Sequence, residues 1–161
     1  MSENNWETQP RLENGEFTFR GKLDRLRRTL QFIERTAPKS SILRTTKGGS
    51  YGELRKETSR KNDVEIHHMP ANSVSNLTRW TGPCIILEKE EHKLTASYGR
   101  SKASQNHRLK QKQLISEGRF LDAEIMDIKD ILKKTKAKYV KALLQKLDYD
   151  EKLYKEGKIN G

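Results

Sequence analysis

The run Glu65-Ile66-His67-His68 places one carboxylate and two adjacent imidazoles within four residues, and Met69-Pro70 ends it. A third imidazole, His92, follows a second apolar run, Cys84-Ile85-Ile86-Leu87, among charged residues. The chain has only four histidines, so three of them fall in these two short segments. Imidazoles beside a carboxylate are what a divalent ion and a general base require: a neutral ring nitrogen to bind metal, and one that takes a proton near neutral pH. On a strand, Glu65 and His67 project to one side and His68 to the other. Twist at a strand end, which Pro70 signals, can aim both imidazoles into one cleft. His92 is expected on the first turn of a helix packed against the strands, so that two stretches of backbone grip one ion.

The elements that must position these groups are legible as patterns. Val64–His68 reads as a first core strand and Cys84–Leu87 as a second. The loop between them holds Pro70, Asn72, Asn76, Trp80 and the Gly82-Pro83 turn. From about Glu90 the chain turns helical, with an interruption at Tyr98-Gly99-Arg100. Ser101 is then a good N-cap for a helix running to Glu117, with Gly118 as its stop. A further helix starts near Arg119. Leu121, Ile125, Ile128 and Leu132 form one apolar stripe, and Tyr139, Leu143 and Leu147 continue the register, as one long helix or as two separated near Thr135.

Upstream the signals are weaker. Residues 1–15 read as a flexible polar leader with an isolated Trp6 and Pro10. Glu16–Arg20 alternates apolar and polar and predicts a short strand ended by Gly21. Leu23, Leu26, Leu30 and Ile33 have helical spacing, although Thr29–Ile33 also alternates; a helix is preferred. Residues 37–52, rich in Gly, Ser and Thr, predict a loop. Within it Gly48-Gly49-Ser50-Tyr51-Gly52 lacks the Gly-Lys-Ser/Thr ending of a phosphate-binding loop. The fold class expected is α+β, with residues 16–161 forming a single domain: a small β-containing centre and a helical C-terminal third.

Composition narrows the partners. Lys and Arg number 33 against 22 Asp and Glu, a net charge of +11. A surplus of that size favours polyanions, of which nucleic acid is the commonest. A membrane surface is the competing anion, but no long apolar stretch or strongly amphipathic basic helix supports it. Apolar residues make up 32% and charged residues 34%, so the core must be small. The one cysteine, Cys84, excludes an internal disulfide and a cysteine-rich zinc site, and its apolar surroundings mark a buried structural thiol. Residues 1–15 have no apolar middle region, so a secretory leader is not expected. Clustered imidazoles in a strongly basic chain point to a metal-dependent nuclease.

The same residues carry a resemblance. Glu65-Ile66-His67-His68-Met69-Pro70, the apolar second strand and Lys89-Glu90-Glu91-His92 together resemble the His-Asn-His (HNH, His-Me finger) endonucleases of the endonuclease VII type, which have a ββα-metal fold. The Glu-His-His segment is similar to that of colicin-type DNases. The run from Val64 to Lys112, including His92-Lys93-Leu94-Thr95-Ala96-Ser97-Tyr98-Gly99, looks like the C-terminal nuclease modules of polymorphic toxins. The likeness covers about the middle third of the chain. It implies a ββα-metal core over about 62–100, followed by C-terminal helices over about 101–156. It implies that His67 and His92 are metal ligands, that His68 is the general base acting on water, and that Glu65 orients a neighbouring imidazole. Two features depart from the colicin pattern. Ala96 stands where a further histidine would follow His92 by one turn, and the central asparagine is unplaced, with Asn72 and Asn76 as candidates.

The function implied is a metal-dependent endonuclease hydrolysing phosphodiester bonds, on DNA in preference to RNA, as a bacterial toxin effector. One divalent ion is the expected cofactor, Mg²⁺ first, with Mn²⁺, Ni²⁺ or Zn²⁺ as alternatives. An acidic immunity protein is the expected partner, and the cytoplasm of a target bacterial cell the expected place of action, reached by a non-classical route or from within a larger toxin. The alternatives are a non-catalytic nucleic-acid-binding module with a structural metal, and the same fold acting as an RNase. His107 reads as a solvated or packing residue, with the role of a late ligand as its alternative. The lysine-rich face after Lys129 reads as solvated, with a DNA-gripping role as the minority reading.

Overall fold

The computed structural model describes residues 18–160. The leader expected over residues 1–15 lies outside them, as do Glu16 and Phe17 of the expected first strand. Among the described residues the fold is α+β, with six helices and one three-stranded antiparallel sheet.

Helix α1 (Phe19–Thr36) begins where a strand was expected to end. Phe19, Leu23, Leu26, Leu30 and Ile33 keep one helical register, which outweighs an alternation only five residues long. The Thr18 hydroxyl accepts a hydrogen bond from the Gly21 amide at 3.2 Å and caps the first turn. The stretch expected as a loop over 37–52 also holds structure: strand β1 (Gly48–Ser50) and the start of helix α2 (Tyr51–Thr58). Gly48 lies so close to the last helix that a Cβ there would sit 2.1 Å from the Ala142 carbonyl oxygen. Glycine is what lets this strand touch helix backbone. Ser50 caps α2 by accepting from the Glu53 amide at 3.2 Å, and Ser50-x-x-Glu53 is the spacing of a capping box.

Strands β2 (Val64–His68) and β3 (Pro83–Glu88) form where the sequence places them. The strand order is β1-β3-β2, so β3 is central and β2 is an edge. Register pairs Glu65 with Leu87, His67 with Ile85, and His68 with Cys84. Ile85 and Leu87 enter the main core, while Cys84 and Ile86 pack with Tyr51 and Leu54 of α2. Burial on both faces explains why β3 reads as a continuous apolar run rather than an alternation. Helix α3 (Lys89–His92) follows β3 directly and is a single turn.

Helix α4 (Lys102–Ser116) starts at the Ser101 cap, whose hydroxyl takes the Ser104 amide at 3.1 Å, and is followed by Gly118 at φ 77°. Helices α5 (Phe120–Thr135) and α6 (Val140–Lys155) are separate, divided by Lys136 at φ 56°. The buried side of α5 is rotated from the apolar stripe: Glu124 and Asp127 are fully buried with Phe120, Leu121, Ile128 and Ile131, while Ile125 and Leu132 lie at the margin. Buried carboxylates need partners. For Glu124 the partner is Lys146 of α6, which also pairs with Asp150; all three side chains are fully buried. Among the described residues, no helix is long and apolar enough to cross a membrane.

Candidate active site

The open edge of β2 borders a groove of about 400 Å³, lined by Glu65, His68, Asn72, Arg79 and His92 together with α2 and the turn that follows it. The alternation of β2 decides what each residue contributes. Glu65 and His67 project to one face. His67 is 2% exposed, and its ring meets His92 edge-on, with centroids 5.1 Å apart. His68 projects to the opposite face and stacks on Tyr51, 5.0 Å between centroids and 17° between planes. His67 and His92 are therefore brought together directly, although His67 is buried and does not line the groove, whereas His68 lines it with Glu65 and His92 from the other side of the strand.

Glu65 and His92 are joined by a hydrogen bond from the imidazole Nδ1 to the carboxylate Oε2. With Nδ1–H donating, Nε2 is the lone-pair nitrogen of the neutral ring. The His67 Nε2 is buried without a hydrogen-bond partner. Burial first, then the nearby His92 and His68 rings, push the His67 imidazole well below its ordinary value and keep it neutral. A buried neutral imidazole with an orphaned nitrogen, beside one whose Nδ1 is held by a carboxylate, is a donor pair suited to a divalent cation. It is a partial set. No cluster of three His, Cys, Asp or Glu side chains able to hold an ion is found among the described residues. The remaining positions around an ion would fall to water and phosphate oxygens.

His68 donates Nε2–H to the Arg79 carbonyl at 3.0 Å. A carbonyl only accepts, so Nδ1 is left as the basic nitrogen. Burial lowers the affinity of His68 for a proton, and the bond to Arg79 resists that shift. The turn carrying Arg79 approaches the ring closely: a Cβ on Gly82 would lie 2.8 Å from the His68 Cδ2. Arg79 itself donates to the Tyr51 hydroxyl at 2.6 Å, with its guanidinium 4.7 Å from the Tyr51 ring centroid. Asn72 lines this groove, and Asn76 is not among its lining residues.

Helix α3 is short and is held from outside. The Tyr139 hydroxyl donates to Glu91 at 2.6 Å and accepts from the Glu88 amide at 3.0 Å. Lys138 pairs with Glu91 at 2.6 Å and with Glu88 at 3.0 Å. Just beyond, the Ala96 amide donates to Asp130 at 2.7 Å and Lys134 donates to the Leu94 carbonyl at 2.6 Å. Part of the lysine-rich C-terminal face thus fastens the segment that bears His92, while Lys129 and Lys133 are exposed.

His107 bonds Asp127 at 2.8 Å. Asp127 also accepts from Gln111 at 2.7 Å, and the Ala71 amide donates to the Gln111 Oε1 at 3.4 Å. This network packs α4 and α5 under the chain leaving β2, which is the packing role. Cys84 is buried on the face of the sheet that carries His68 rather than His67, and burial pushes its thiol well up. Sequence reasoning missed Arg79, Tyr51 and Asp127. The Arg79-Trp80 pair in the inter-strand loop was the available signal for the first. Compared with known proteins, the chain matches no family model, no curated protein and no solved structure.

Proposed function

We propose that the chain is a metal-dependent endonuclease whose β2–β3–α3 succession acts as a ββα-metal core. The observation that carries this reading is the meeting of His68 with the Glu65-held His92 along one groove, under Arg79. His67 and His92 would hold the ion, which would supply Lewis acidity for the phosphate and the departing 3′ oxygen. His68 takes the proton of the attacking water at Nδ1 while its Nε2–H stays on the Arg79 carbonyl. Glu65 keeps the His92 ring aimed. Arg79 and the exposed Arg55 and Lys61 along the groove hold flanking phosphates.

Two nitrogen donors suit Mn²⁺, Ni²⁺ or Zn²⁺ at least as well as Mg²⁺, so all four belong in the assay. The purified protein should nick supercoiled plasmid with one or more of these ions and stop in EDTA, and His68→Ala should abolish nicking. Cleavage by His68→Ala at the parent rate would remove the base assignment. Total RNA digested in parallel separates DNase from RNase action, with DNA the expected substrate. The toxin role adds an acidic immunity protein that covers the groove or an adjacent basic surface, and action in the cytoplasm of a target cell. A structural-metal module is the competing reading; a closed structural site takes four protein ligands, and among the described residues no group of even three is brought together.

A further inference from the structure

Beside the groove stands an aromatic side chain that the hydrolytic step does not use. Trp80 is 57% exposed, in the turn that also supplies the Arg79 carbonyl to His68. It is nonetheless held in place. Its carbonyl accepts from the Gly52 amide at 3.0 Å, its ring meets Tyr51 edge-on at 5.4 Å, and the Arg79 guanidinium lies 5.8 Å from its centroid. Tyr51 stacks in turn on His68. The result is a row of π systems running from the general base out to solvent, interleaved with a cation. On the other flank Tyr98, 41% exposed, touches His92 edge-on at 5.1 Å.

An exposed, positioned indole next to an arginine is the composition of a platform for bases. Each base stacked on an aromatic ring adds affinity whatever its identity, and the cations hold the intervening backbone. The bases of an intact duplex already stack on one another and cannot also lie on a side chain beside the backbone. Resting on the reading of this groove as a nuclease cleft, we infer that Trp80 stacks a nucleobase flanking the scissile phosphate, and that the substrate is single-stranded or locally opened nucleic acid.

The test uses the full chain carrying Trp6→Phe, to leave Trp80 as the sole tryptophan. In EDTA, an eight-nucleotide oligo(dT) should quench Trp80 emission, and a hairpin duplex of equal charge should quench it much less. Adding Trp80→Ala should weaken oligo(dT) binding, read by anisotropy of a labelled strand, by about tenfold. Trp80→Phe should retain most of the affinity. Unchanged oligo(dT) affinity in Trp80→Ala overturns the inference, as does equal quenching by duplex. Equal quenching by poly-glutamate also overturns it, because Trp80 would then answer to negative charge, as on an acidic protein partner. Binding is read without metal or turnover, so a protein that never cleaves yet stacks bases would sink the nuclease reading and leave only the stacking of a base on Trp80 standing.

Discussion

The Glu65 carboxylate on β2 holds the His92 imidazole on α3, 27 residues further along the chain. That bond fixes which nitrogen of His92 is available and turns two sequence-distant residues into one unit. Carboxylates that orient a metal-bound histidine contribute about 10–100-fold in metal affinity or activity. Glu65→Ala should therefore lower Mn²⁺ affinity, by titration calorimetry, and plasmid nicking within that range. Glu65→Gln, which keeps an acceptor, should lose less. Equal behaviour of parent and Glu65→Ala would mean that His92 needs no orienting partner.

Tyr139 makes a separable prediction about the same helix. Its hydroxyl bridges Glu91 and the Glu88 amide, so it sets where α3 begins. Tyr139→Phe keeps the buried ring and removes only the bridge, at a cost of about 1–2 kcal/mol in urea unfolding. Nicking at saturating substrate should fall several-fold while oligonucleotide affinity holds, because α3 positions His92 and not the groove cations. A variant less stable yet fully active would show that α3 finds its place without this clamp.

How much of this was legible in the sequence follows from the range of the forces involved. The strand bearing Glu65, His67 and His68, the Ser101 cap and the Gly118 stop depend on neighbours a few residues away, and local patterns showed them. The segment around Gly48 reads as loop because glycine carries no pattern; its strand forms by pairing with β3 and lies against α6, both remote in sequence. Glu53 three residues after Ser50 was a local signal for α2 that the glycines around it masked. The split between His67 and His68 was readable from alternation. That His68 nonetheless shares a groove with Glu65 and His92, while His67 is buried against His92, depends on β2 being an edge, which is a fact of sheet order. Glu124 and Asp127 interrupt the apolar register of α5, and nothing local says that Lys146 and Gln111 will meet them.

The Lys146 cluster gives a stability prediction remote from the chemistry. Its ammonium lies 3.0 Å from Glu124 and 2.7 Å from Asp150, fully buried. Burial works against the charge on Lys146, and the two carboxylates more than offset this, leaving it raised. Glu124 is pushed well above its ordinary value by burial and then by the charge of Asp150. Lys146→Met removes the one cation and leaves buried carboxylates facing each other, which should cost about 3–5 kcal/mol. Chemical denaturation at pH 7 should show it, and replacing all three residues with apolar ones of similar volume should restore much of the loss. A neutral Lys146→Met would mean that the carboxylates are already uncharged.

Glu151 on α6 pairs with Arg20 at 2.6 Å and Arg27 at 2.9 Å on α1, and the Arg20 hydrogen bond leads the causes that hold its carboxyl down at about 2. An unfolded glutamate titrates near ~4.3. Between these values the unfolded chain binds a proton that the folded chain refuses, so stability rises with pH across that window. The contribution is complete above about pH 4.3 and is lost as the pH falls toward 2. Solvent screening of the pair keeps it to about 1 kcal/mol or less. Urea unfolding of parent and Glu151→Gln should thus differ by that amount at pH 6, with the gap closing steadily at pH 4 and pH 3. A gap that stays constant down to pH 3 would place the loss in side-chain packing between α1 and α6 and not in the charge of Glu151.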